Sequence, residues 1–110
     1  MKITSLDDKI KEIAGRPWHP VEVARTNDQA VRLALFKGEY NWHKHDNEDE
    51  LFYVVKGEIT IQMKPTRKNI ILKKGQIAVV PKGTEHRPKS DGAYVLMFES
   101  ASLRSKGDLK

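Results

Sequence analysis

Near the start of the chain Leu6, Ile10 and Ile13 recur at helical spacing, and Ser5 followed by Asp8 fits an N-cap with an acidic residue in the first turn. Gly15 and Pro17 interrupt this pattern, so a short amphipathic helix is expected over residues 6–14. From Val21 the period changes. Short runs rich in β-branched and aromatic side chains alternate with turn residues, which is strand chemistry. The runs are Val21–Thr26, Ala30–Lys37, Glu50–Val55, Glu58–Met63, Asn69–Leu72, Gln76–Val80 and Ala93–Glu99, punctuated by Asn27-Asp28, Gly38, Gly57, Pro65, Gly75 and Pro81. Seven or eight short strands with one terminal helix predict an all-β sandwich or barrel over residues 21–100. Residues 1–20 form a helix and arm ahead of it, and residues 101–110 read as a polar tail.

Composition narrows the picture. A chain of 110 residues, 38% hydrophobic and 32% charged, suits one small domain with one modest core. No run approaches the roughly 20 apolar residues of a membrane span, and the charged start MKITSLDDKIKEI is unlike a signal peptide. A soluble, cytoplasmic protein with no membrane role is expected. The absence of cysteine excludes disulfides, thiolate zinc sites, iron–sulfur clusters and a cysteine nucleophile, so any metal must be held by nitrogen and oxygen.

The net charge of +5 is uneven: residues 1–63 carry nine basic and eleven acidic side chains, and residues 64–110 carry eleven and four. That asymmetry invites a nucleic-acid reading. The basic residues, however, fall mostly at turns (Lys64, Arg67, Lys68, Lys73, Lys74, Lys82, Lys89) and are not interleaved with aromatics as a stacking surface requires, so no nucleic-acid partner is expected.

Histidine supplies the chemistry. His43 and His45 are two apart, a spacing that puts both imidazoles on one face of an extended segment with Cα atoms roughly 6.7 Å apart. The acidic stretch Asp46-Asn47-Glu48-Asp49-Glu50 follows. If the chain reverses there, Glu50 lies beside the histidines on a face it shares with Phe52 and Val54, and an unpaired carboxylate on such a face would be very costly to bury. A metal would be its partner. Glu48 and Asp49 read as solvated loop charges, and His19, between Trp18 and Pro20, reads as structural.

The stretch Gly38-x4-His43-x-His45-x4-Glu50-x6-Gly57 resembles the first motif of the cupin family, and Gly75-x5-Pro81-x-Gly83-x2-His86 resembles the second. Two departures stand out: four residues separate Gly38 from His43 where the family pattern has five, and Ser90 stands where asparagine ordinarily closes the second motif. The resemblance implies a double-stranded β-helix, or jelly-roll, barrel. It also implies that His43, His45, Glu50 and His86 are the ligands of one divalent transition metal. Three imidazoles and a carboxylate suit iron, manganese, nickel, cobalt or zinc, and leave coordination positions open for a small molecule. His86 is placed by the turn after Pro81 and Gly83.

Among the aromatic and soft residues Tyr40, Trp42, Phe52, Tyr53, Tyr94, Met97 and Phe98, Phe52 is the first candidate for a cavity wall, while Trp42 alternates with His43 and points outward. Tyr40, Tyr53, Tyr94, Glu99 and Arg32 are the polar residues available for proton transfer. The resulting expectation is a metal-dependent enzyme, of dioxygenase or isomerase type, acting on a small metabolite. A non-catalytic metal or small-molecule sensor or accessory module is the alternative. Cupins resembling this chain cover exposed strand edges by pairing, so a homodimer is expected.

Overall fold

The computed structural model describes residues 1–66 and 68–102, so Arg67 and the expected tail from residue 103 onward lie outside the described residues. Helix α1 (Leu6–Ile13) carries the anticipated stripe, with Ile13 fully buried and Leu6 and Ile10 packed on the same cluster. It ends one residue before the expected boundary, because Ala14 takes the left-handed conformation (φ 53°) and donates its N–H to the carbonyls of Ile10 and Lys11. Ser5 occupies the N-cap position without a side-chain capping bond, leaving Asp7 and Asp8 to favour the helix N-terminus by charge.

Seven strands follow: β1 (Val21–Thr26), β2 (Gln29–Glu39), β3 (Glu50–Lys56), β4 (Glu58–Lys64), β5 (Asn69–Lys73), β6 (Ile77–Val80) and β7 (Glu85–Ser100). One layer runs β1-β2-β7-β3-β6, all antiparallel, while β4 pairs β5 on one side and β7 on the other. The first half of β7, Glu85–Lys89, pairs β4, and its second half, Tyr94–Phe98, pairs β3. A single long strand therefore serves both walls, and the chain is an all-β jelly-roll barrel with one short helix.

Alternation sets what each wall presents. Ala34, Phe36, Phe52, Val54, Ile59, Ile61, Leu72, Val80, Ala93, Val95 and Met97 face the interior as one cluster, while Leu33, Leu35 and Leu96 face outward and are covered by α1. Between α1 and β1 the arm lies along β2: Pro17 bridges Leu35, and the Trp18 N–H donates to the Leu35 carbonyl at 2.8 Å. Among the described residues no helix is long and apolar enough to cross a membrane.

The structure moves one boundary substantially. β7 begins at Glu85, eight residues before the run expected from Ala93, so His86 is a strand residue and not part of a turn. Arg87, Lys89, Ser90 and Asp91 supply no apolar alternation to mark this part of the strand. Pro88 has no N–H to give the ladder, but its carbonyl accepts from the Tyr40 N–H at 3.0 Å.

Candidate metal centre

The segment Trp42–His45 is extended but pairs at one residue: His43 and His86 exchange N–H and carbonyl bonds of 3.0 and 2.9 Å. The expected alternation nevertheless holds, since His43 and His45 are buried and Lys44 between them turns outward. The Gly83 N–H donates to the His45 carbonyl, and Asp49 Oδ1 accepts the Lys82 N–H. Asp49 thus does more than the solvated charge expected of it, because it ties the acidic loop to the turn ahead of His86.

These ties draw the four residues together. One ligand atom each from His43, His45 and Glu50 lie within 4.8 Å of one another. His86 Nε2 lies 3.7 Å from Glu50 Oε1, as does His45 Nε2. The ring centroids of His43 and His86 are 4.4 Å apart. Two of the imidazoles have their tautomer set by the backbone. His43 Nδ1 lies 2.9 Å from the Asn41 carbonyl and His86 Nδ1 2.9 Å from the Thr84 carbonyl. A carbonyl only accepts, so each Nδ1 carries the proton and each Nε2 keeps a lone pair. Glu50 Oε1 and His86 Nε2 are buried without a hydrogen-bond partner on the chain.

A second carboxylate stands beside the first. The register Leu51↔Phe98, continued one step, sets Glu50 against Glu99, and both side chains face inward. Arg32 clasps Glu99, Nη1 to Oε1 at 2.7 Å, and its other nitrogen donates to the Ala101 carbonyl. Burial and the neighbouring Glu50 push the Glu99 carboxyl up to about 8, while burial raises Glu50 as well. Burial acts oppositely on the bases, lowering His43 to about 4 and lowering His86.

These shifts fix the sign of the pH dependence of the metal-free protein. The histidine contribution is complete above the ordinary value of 6.5 and is lost as the pH falls towards about 4. The Glu99 contribution is complete below the ordinary 4.5 and is lost as the pH rises through about 8. Stability should therefore peak between these limits and decline from pH 6.5 to 8 by about 1–2 kcal/mol. Thermal unfolding of metal-free protein across that range checks this, and a midpoint that rises with pH would contradict it.

Beside the cluster opens a cleft of about 420 Å³ counting its mouth, lined by Trp18, Phe36, Tyr40, Phe52, Met97 and Glu99 among others, with His43 and Glu50 at its inner end. Phe52 takes the wall position the sequence suggested, and Tyr40 and Met97 line the cleft beside it. Tyr53 and Tyr94 pack instead on the outer cluster, Phe98 lies on the outer face, and Trp42 points outward beneath Lys64 and Arg87, whose cationic groups sit 4.1 and 4.7 Å from its ring. Trp18 and Phe36 are aromatic wall residues that sequence reading missed. Trp18 stacks at 4.7 Å on Phe36 and 4.8 Å on Tyr40. The Ser90 hydroxyl donates to the Glu58 carbonyl and accepts from the Gly92 N–H, a loop-fixing role open to the residue it replaces.

Comparison with known proteins adds four findings. The family model described as Cupin domain matches residues 32–99. The Bacillus subtilis protein YdbB is 46% identical over 68 residues, 62% of this chain, and the match spans only 59% of that curated relative's length. A solved cupin-2 domain protein from Shewanella frigidimarina is 31% identical with a TM-score of 0.83, over 89% of this chain and 94% of that one. Protein NMB1881 from Neisseria meningitidis is 26% identical with a TM-score of 0.81, over 91% and 100%.

Proposed function

The chain belongs to the cupin domain family, and from that premise we propose that His43, His45, Glu50 and His86 hold one divalent transition metal in a metal-dependent enzyme, of dioxygenase or isomerase type, for a small metabolite. One observation carries this reading: His86, whose Nδ1 proton is tied to the Thr84 carbonyl, holds its partnerless Nε2 3.7 Å from Glu50 Oε1, a buried carboxylate oxygen that likewise has no hydrogen-bond partner on the chain. Burying such a group without a partner costs several kcal/mol, and a cation supplies the partner. The donor set, nitrogen with one hard oxygen, fits iron, manganese, nickel, cobalt or zinc.

When bound, the metal would supply Lewis acidity at an oxygen of the metabolite. The chain's own residues do the rest. His43 and Glu50 line the cleft, so a small molecule reaches the cluster from that side. Glu99, held by Arg32, keeps a proton at its carboxyl near neutral pH and can give or take it next to Glu50. Trp18, Phe36 and Phe52 exclude water from the approach.

Elemental analysis of protein purified without added metal should find close to one transition-metal ion per chain. A metal content near zero that zinc, manganese or iron(II) fails to restore would refute the reading.

We place a second copy of the chain on the outer sheet. Ile77 and Val79 on the edge strand β6 and Phe98 on β7 are 58, 51 and 41% exposed, an apolar face that pairing would cover. Sedimentation at about 100 µM should give about twice the 12.6 kDa of one chain. A monomer would remove the pairing.

A further inference from the structure

Within the cleft the space that a ligand could fill is about 30 Å³, whereas the 420 Å³ counted with its mouth includes open solvent. A single water needs roughly 10–15 Å³ of such space, and a pocket for a drug-sized molecule runs to roughly 300–1,000 Å³. Trp18, half-buried, narrows it. Its indole packs on the inner cluster and lies 4.7 Å from the Phe36 ring and 4.8 Å from the Tyr40 ring. Each of those rings begins a file that ends on a proposed ligand. Tyr40 meets His43 edge-on at 5.4 Å, and Phe36 reaches His86 through Phe52, at 6.0 and 6.4 Å. The arm fixes the indole from outside: the Trp18 N–H donates to the Leu35 carbonyl at 2.8 Å, and Pro17 bridges Leu35. Trp18 is also held at φ +57°, a conformation costly to a residue with a Cβ, so the packing of its ring has to offset that cost.

We infer that Trp18 is the size-selecting residue of the proposed metal centre: its indole occupies the place a ring would need, so the centre accepts ligands of two or three non-hydrogen atoms and turns away ring-sized ones. The inference rests on the proposed site, whose open coordination positions it limits to small ligands. A cation held by the histidines and Glu50 would offset the negative charge at the inner end, so anionic and neutral ligands can both enter and the wall discriminates by bulk. Phe36 and Phe52 are buried members of the inner cluster, and neither can yield without emptying the core. Trp18 stands on an arm outside the sheet, so shortening it opens the cleft and leaves the strands in place. The hollow left behind would be apolar and on the order of 150 Å³, a kind of cavity that stays dry and takes benzene.

The test uses the full chain loaded with cobalt(II), whose visible spectrum reports ligands joining the metal, titrated with formate and with benzoate. The two share one donor group and differ in bulk. Formate should bind at least about tenfold more tightly than benzoate. Trp18→Ala should strengthen benzoate at least about tenfold and change formate less than about threefold. Trp18→Leu should act in the same direction to a smaller extent, and it stands in if the alanine variant fails to fold. If neither variant folds, the ligand order in the unaltered protein still decides. Benzoate binding as tightly as formate in the unaltered protein would overturn the inference, as would a folded variant that gains nothing for benzoate. The metal reading fails separately, by way of metal-free protein and benzene. Saturating benzene should raise the melting midpoint of metal-free Trp18→Ala by at least about 2 °C and leave that of the unaltered chain where it is. A chain that takes up no cobalt yet shows this difference would lose the metal site and keep Trp18 as the residue that closes the cleft, and an equal response of the two proteins would remove that role too.

Discussion

A chain carrying His43→Ala together with His45→Ala should lose zinc affinity by at least about a thousandfold, with its far-ultraviolet circular dichroism unchanged. Disturbing residues behind a ligand already weakens metals about 10–100-fold, so deleting two of four proposed ligands should exceed that. The fold should survive because neither histidine belongs to a long ladder. His43 makes its two bonds to His86 through the backbone, and the Gly83 N–H reaches the backbone carbonyl of His45, so both contacts persist in alanine. Competition titration against a chelator of known affinity gives the number. Stoichiometric metal in the double variant would show that the ligands lie elsewhere.

Gly57→Ala should destabilise the protein by about 3–5 kcal/mol, a large part of the usual 5–15 kcal/mol. Gly57 is the single residue between β3 and β4 and has φ of +85°. A Cβ there would collide with the carbonyl oxygen of Gly92 and stand 2.9 Å from Ala93 Cα. Both obstacles are near the point where β7 passes from one wall to the other, and backbone has no rotamer to yield. The left-handed conformation adds about 1–2 kcal/mol to that overlap. Gly75 at φ +82° has open space around its Cβ position, so Gly75→Ala is the control that isolates the conformational part. Urea unfolding of the two variants should separate them by at least about 2 kcal/mol; equal losses would mean that Gly92 and Ala93 can move aside.

Much of this architecture is legible in the order of residues because alternation is a local property. Leu6, Ile10 and Ile13 mark the helix, and the runs from Val21 to Val80 mark the first six strands, since one buried face imposes one repeat. The first half of β7 was hidden for the same reason. Only its inward positions, His86 and Pro88, are buried, and neither is an apolar strand former. The four clustered residues were visible through spacing and the family motifs. Glu99 was visible only as a polar residue at the end of a strand: its facing of Glu50 follows from the pairing of β3 with β7, which the sequence does not display. Trp18 carried no signal of its role, because it reaches the cleft through an irregular arm with φ of +57°, a backbone geometry that neither strand nor helix periodicity encodes.

That arm has a further consequence. The segment matched by the family model begins at Arg32, past Trp18 and Pro20, so part of the cleft's wall is built from chain that the family pattern does not define. The residues proposed to grip an ion and the residue that shapes the entrance are thus under separate control. Altering the twenty leading residues can redirect which molecule is admitted while the chemistry at the inner end is left untouched.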